Sequence, residues 1–206
     1  MKISIRIKEY LFVTIILCVL IISFVTMSKE KEYISNDLIG FDKGLITLKN
    51  SDQPITGKIY GYFGLTGSQE KFYMGKIING KREGKWIHYY HKTKKKEYEN
   101  YFKNGKVDGL WTEWYESGEK EYEGNYIDGE KHGRFTFWYK NGQVQEEYTY
   151  KYGKFDGKGT FWYENGQKKV EENYLDGEKH RKFTSWYKNG NRMGEEIYEY
   201  DEMISI

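Results

Sequence analysis

The sequence predicts an all-β protein: an elongated antiparallel sheet of tandem β-hairpin repeats, preceded by one N-terminal hydrophobic helix. Three observations carry this. The chain holds 21 Tyr, 11 Phe and 6 Trp with 23 Gly and a single proline, Pro54, a composition that favours short strands and tight turns. A Trp-Tyr segment closed by a Gly turn recurs every 24 residues. One uncharged apolar run stands near the N-terminus, and only there.

Residues 1–28 are read first. Lys2, Arg6 and Lys8, against Glu9 alone, precede the 17-residue run LFVTIILCVLIISFVTM, Leu11 to Met27. As a helix the run would be ~26 Å long, at the short end for a ~30 Å hydrocarbon core. Basic-then-apolar order predicts the N-terminus inside and the remainder outside the cytoplasm. Two readings stand: a signal peptide cleaved after Ser28, giving an exported or periplasmic protein, and an uncleaved single anchor in the cell membrane. The only cysteine, Cys18, lies in this run, so neither an intrachain disulfide nor a Cys-based zinc site is available.

Residues 29–43 read as a charged linker, and 44–206 as the repeat array of about six units. The regular copies are GLWTEWYESG (Gly109–Gly118), GRFTFWYKNG (Gly133–Gly142), GKGTFWYENG (Gly157–Gly166) and RKFTSWYKNG (Arg181–Gly190). Gly84–Thr93 and Gly57–Gly67 are more diverged copies, as befits units that end a stack. Each unit has two strands. Turns such as Asn141-Gly142 and Asn165-Gly166 are expected to adopt the paired positive φ angles of tight hairpins. A second Gly turn follows at Asp128-Gly129, Tyr152-Gly153 and Asp176-Gly177.

Alternation along a strand puts Thr112 with Trp114, Thr136 with Trp138, Thr160 with Trp162 and Thr184 with Trp186 on one face. The other face collects Phe135, Phe137 and Tyr139, Phe161 and Tyr163, and Phe183 and Tyr187. With about two strands per unit, twelve strands are expected.

Two rows stand out as a candidate interaction surface. Trp114, Trp138, Trp162 and Trp186 form either a packing ladder or a stacking surface for sugars or a partner. Glu123, Glu147, Glu171 and Glu195, each nine residues after its Trp, form either a solvated row paired with lysines or a ledge for a cation or basic partner. Residues 29–206 hold 30 basic and 30 acidic side chains; this balance lacks the basic excess of a nucleic-acid binder, and no nucleic-acid partner is expected. His88 and His91, three apart in a strand, point to opposite faces. No nucleophile set or phosphate-cradling loop emerges, so neither catalysis, metal nor cofactor is expected.

The stretch Tyr122-Glu123-Gly124-Asn125-Tyr126-Ile127-Asp128-Gly129-Glu130-Lys131-His132-Gly133 resembles the MORN repeat, Y-x-G-x-[WY]-x-x-G-x-x-H-G. With its added WY-x-NG hairpin the pattern is similar to the bacterial MORN-repeat variant, and the resemblance spans roughly residues 44–200. It implies rows of β-hairpins, and a non-catalytic protein-interaction or scaffolding role with an unknown protein partner. It also implies contact with a membrane surface or self-association. Some bacterial members are labelled antitoxins, which gives an antitoxin or immunity-type partner of a toxin as the alternative. A cell-wall glycan binder, through the Trp row, is a more distant one.

Overall fold

The computed structural model describes residues 30–35, 38–42, 45–49, 51–63 and 70–205. The apolar segment predicted as an N-terminal helix lies outside them. The described residues form a long, mostly antiparallel sheet. Successive hairpins run from Gly57–Phe63 through Glu70–Ile78, Lys81–Tyr89 and Lys96–Lys103 to Arg192–Glu199 and Glu202–Ser205. From Gly57–Phe63 onward the long strands pair with their sequence neighbours, as a meander requires. Among the described residues this sheet holds seventeen strands where twelve were expected, and two more form a separate pair. Three of the excess arise because long strands are interrupted at Asp108, Asp156 and His180, giving pairs such as Lys106–Val107 and Gly109–Trp114. The stretch read as a linker contains strands too. Glu32–Ile34 adds in parallel to Gly57–Phe63, and Leu38–Asp42 pairs with Leu45–Leu48.

The two turns of each unit differ, and the expected chemistry is exchanged between them. Paired positive φ angles occur at Asn104-Gly105, Asp128-Gly129, Tyr152-Gly153 and Asp176-Gly177, the two-residue hairpins whose twist matches that of the strands. In Asn141-Gly142 only the glycine is left-handed, at φ 82°. Its N–H donates to the Tyr139 carbonyl at 2.9 Å. The Asn141 side chain accepts from the Gln143 N–H at 3.0 Å and donates to the Glu164 carbonyl of the next unit at 3.0 Å. Asn is thus required here for its side chain rather than for its backbone freedom.

These longer turns leave one residue unpaired. Trp138 faces Val144 while Phe137 faces Glu146, so Gln145 bulges. The same shift leaves Glu97, Glu121, Lys169 and Met193 unpaired in the other units. Both margins of the sheet are then stitched from unit to unit. On one, Tyr90, Tyr115, Tyr139 and Tyr163 donate their hydroxyls to the carbonyls of Trp114, Trp138, Trp162 and Trp186 at 2.6–2.9 Å. Tyr115, Tyr139 and Tyr163 therefore sit just beyond the strand ends as clasps, and not on the aromatic face where alternation placed Tyr139 and Tyr163. On the other margin the N–H groups of Gly129, Gly153 and Gly177 donate to the carbonyls of Val107, Lys131 and Phe155 at 2.8–2.9 Å.

The aromatic face packs by fitting rings over small residues. A Cβ on Gly124 would lie 2.3 Å from the Phe135 ring, and one on Gly159 would lie 3.0 Å from the Tyr148 ring. Tyr148 occupies the repeat position of Gly124, and Gly159 that of Phe135. The bulky and small partners have changed strands, and the space stays filled. Toward the N-terminal end an aliphatic core takes over. Ile46, Ile55, Ile59 and Ile77 cluster with Trp86 and Phe102, Ile77 being fully buried. Burial of such side chains contributes roughly 1.5–3 kcal/mol each. Hydrogen bonds from Ile46 N–H to the Gly80 carbonyl (2.7 Å) and from Gly80 N–H to the Ile55 carbonyl (2.8 Å) hold the covering segment in place.

Candidate functional site

The predicted Trp and Glu rows lie on one face, and the register makes each part of a ladder. Thr136 pairs with Glu123 on one side and Glu147 on the other. Thr160 stands between Glu147 and Glu171, and Thr184 between Glu171 and Glu195. With Glu99 and Thr112 this gives one continuous line of alternating Glu and Thr. The threonines are only 6–8% exposed, because the longer Glu and Lys side chains on adjacent strands close over them.

Basic groups flank the carboxylates. Glu171 is held by Lys158 at 2.8 Å and Lys168 at 2.7 Å, Glu123 by Lys120 at 2.6 Å, Glu147 by Arg134 at 3.8 Å, and Glu195 by Lys182 and Arg192. At Glu171 partial burial alone would raise the carboxyl. The hydrogen bonds from Lys158 and Lys168 outweigh it and hold the group below the usual carboxylate range. Glu99 is shifted the same way against burial by Lys85 and Lys96.

The tryptophans form the neighbouring line. Trp114 faces Lys120, Trp162 faces Lys168 and Trp186 faces Arg192. Ammonium groups lie over three of the rings: Lys96 over Trp114, Lys120 over Trp138 and Lys168 over Trp186, at 5.5–5.7 Å. The rings are half-buried. The face therefore presents a repeated mixture of indole edge, ammonium and carboxylate, and the candidate residues of both rows share it.

A second feature escaped the sequence reading. An open cleft of about 420 Å³ lies where Lys81–Tyr89, Lys96–Lys103, Gly109–Trp114 and Lys120–Ile127 run together. Arg82, Glu97, Asn100, Trp111, Glu113 and Glu121 are among its lining. Asn100 is 2% exposed, and its Oδ1 has no protein partner. The Trp111 indole N–H is buried beside the Glu113 carboxylate without a well-formed hydrogen bond. Burial raises the Glu113 carboxyl, the Trp111 indole offsets part of this, and Glu121 and Glu97 raise it further. The available signal was departure from the repeat: Glu113 stands where other units have Phe137, Phe161 and Ser185.

Of the histidines, His88 touches two residues of that lining. His88 stacks on Tyr98 at 4.9 Å and bonds Glu97 through Nδ1 at 2.7 Å. His132 and His180 pack against Tyr152 and Tyr200 at 5.3 and 5.1 Å. Among the described residues no group of three His, Cys, Asp or Glu side chains is arranged to hold a metal ion.

The family model described as MORN repeat variant matches residues 107–128, 131–152 and 155–176. Each match begins beside one two-residue turn and ends in the next, so it encloses one hairpin with its Trp, Thr and Glu. No curated protein matches the chain.

Proposed function

We propose, for a chain whose residues 107–128, 131–152 and 155–176 match the MORN repeat variant family model, that the array is a non-catalytic protein-interaction or scaffolding element. The observation that supports this is the recurrence of one side-chain set, Trp, Thr, Glu and a basic residue, on one face of a sheet stitched along both margins. A partner that follows a repeated surface gains from every unit. A catalytic site needs one unlike constellation with distinct acid, base or nucleophile roles. Aromatic and charged side chains on a rigid platform suit protein contact, where a few large side chains carry most of the energy.

In this reading the repeats lie outside the cytoplasm, exported or tethered by residues 1–28, and the partner is an extracytoplasmic protein. The basic-then-apolar order of that segment supports the topology. Fractionation of cells carrying the full chain, with protease added to intact spheroplasts, tests it. Degradation of the repeats in intact spheroplasts is expected for the anchored form, and recovery in the medium or periplasm for the cleaved form. A soluble, protected cytoplasmic chain would overturn the topology and favour the antitoxin alternative.

A further inference from the structure

We propose that the cleft between Lys81–Tyr89 and Lys120–Ile127 is a binding site for an organic cation, a ligand bearing an ammonium or guanidinium group. The first ground is how the acidic groups come together. Glu97 and Glu121 are the unpaired bulge residues of two successive long turns. A bulge re-aims the side chain of its extra residue, and both of these line the cleft. At the equivalent bulges of later units stand Gln145, Lys169 and Met193. Only the first two bulges are acidic, and they flank the strand that carries Glu113. Glu113 in turn takes the place that an aromatic ring fills in the next two units. Three carboxylates thereby line one cleft where the repeat pattern alone would give a mixed surface.

The second ground is independent. Asn100 is a buried amide whose carbonyl oxygen has no donor. A buried acceptor without a partner is costly, and the group lines the same cleft. Asn100 breaks the repeat too: Gly124, Tyr148, Glu172 and Glu196 hold its position in the other units. The unmet demand of the lining is mostly for donors. Asn100 Oδ1, Glu97, Glu113 and Glu121 all accept, while the Trp111 N–H, a buried donor without a well-formed bond, lies beside Glu113.

Arg82 is the one cationic side chain of the lining, and its guanidinium lies over the Trp86 and Phe102 rings at 4.9 and 5.1 Å. It does not balance three carboxylates. His88 engages Glu97 through one ring nitrogen and leaves Glu113 and Glu121 unserved. A metal ion does not fit, because the carboxylates do not converge on one point. A larger, flat or tetrahedral cation with several N–H donors satisfies a cleft of about 420 Å³, within the usual range of small-ligand sites.

The test is isothermal titration of the detergent-solubilised full chain with cadaverine, with methylguanidinium and with uncharged 1-pentanol. One or both cations are expected to bind at a single site, and the better one identifies the ammonium or the guanidinium source; pentanol is expected not to bind. Glu113→Gln and Glu121→Gln are each expected to weaken binding by about tenfold or more, as loss of a charge-assisted hydrogen bond does. Glu171→Gln, on the opposite face, is expected to change nothing. Failure of both cations to bind the folded chain, or equal affinity in Glu121→Gln and Glu171→Gln, would overturn the proposal. If Glu113→Gln unfolds, Glu97→Gln and Glu121→Gln carry the comparison. Trp114 of the interaction row also lines the cleft; Glu113→Gln and Glu121→Gln leave that row intact, so loss of cation binding in them is distinguishable from failure of the interaction reading.

Discussion

The hydroxyl of Tyr139 donates to the backbone carbonyl of Trp162, in the next unit, at 2.8 Å. Tyr115 and Trp138 repeat the relationship one unit earlier, and Tyr163 and Trp186 one unit later. The Trp-Tyr pair is therefore a two-part device. Its Trp faces the surface ladder, while its Tyr fixes the distance to the following hairpin. Tyr139→Phe is expected to destabilise the protein by about 1 kcal/mol, the net worth of one hydrogen bond. Tyr187 begins the last such turn and is half exposed, so Tyr187→Phe should cost less than about 0.5 kcal/mol. Denaturant midpoints of the two variants check the difference.

The exchange of Gly124 and Phe135 for Tyr148 and Gly159 makes a second prediction. Gly124→Tyr places a ring where Phe135 already lies, and overpacking of this kind costs about 1–3 kcal/mol or more. Adding Phe135→Gly recreates the arrangement found at Tyr148 and Gly159. The double variant is expected to recover at least about 1 kcal/mol relative to the sum of the single ones, read by a double-mutant cycle.

Arg181 adopts φ 71°, where the equivalent residues Gly109, Gly133 and Gly157 are also left-handed. Only glycine occupies this region without strain. Arg181→Gly is expected to stabilise the fold by about 1 kcal/mol, seen as a higher thermal midpoint.

The Glu row gives a signed pH dependence. The folded state holds the Glu171 carboxyl below 4.5. Its contribution is therefore fully present above that value and is lost as the pH falls through the lower folded one. Glu171→Gln should be less stable than wild type at pH 7, by about 0.5–1 kcal/mol for a pair this exposed. The difference should shrink as the pH falls through the lowered folded value. Denaturation curves at neutral pH and through the acid range decide it.

Much of this architecture was legible because it recurs. The 24-residue register fixed the hairpins, and alternation assigned Thr136 with Trp138 and Phe135 with Phe137 to their faces. What stayed hidden has physical causes. Alternation assumes unbroken pairing, so it could not foresee that Gln145 would bulge or that Tyr139 would leave the strand to clasp Trp162. The hairpin dipeptide Asn141-Gly142 suggested a two-residue turn, yet the Asn side chain stabilises a longer one. The strand Glu32–Ile34 fell in the stretch read as a charged linker and carries no repeat signal, because its role, like that of Ile46 and Ile55, is to close the aliphatic cluster around Ile59 and Ile77. The cleft was overlooked for a related reason. Asn100, Trp111 and Glu113 are departures from the repeat, and a reading that weights recurrence passes over them.

The interaction reading is tested most directly by site-specific photo-crosslinking of the full chain in its native cells. A crosslinker replaces Arg134, Lys158 or Lys182 on the Trp face, and Val170 or Ser185 on the aromatic face. The expected result is one discrete adduct, of the same partner mass, from all three Trp-face positions and none from the other two. No adduct from any position, or adducts confined to the aromatic face, would contradict the assignment of the repeated Trp, Thr and Glu surface as the place where this protein meets its partner.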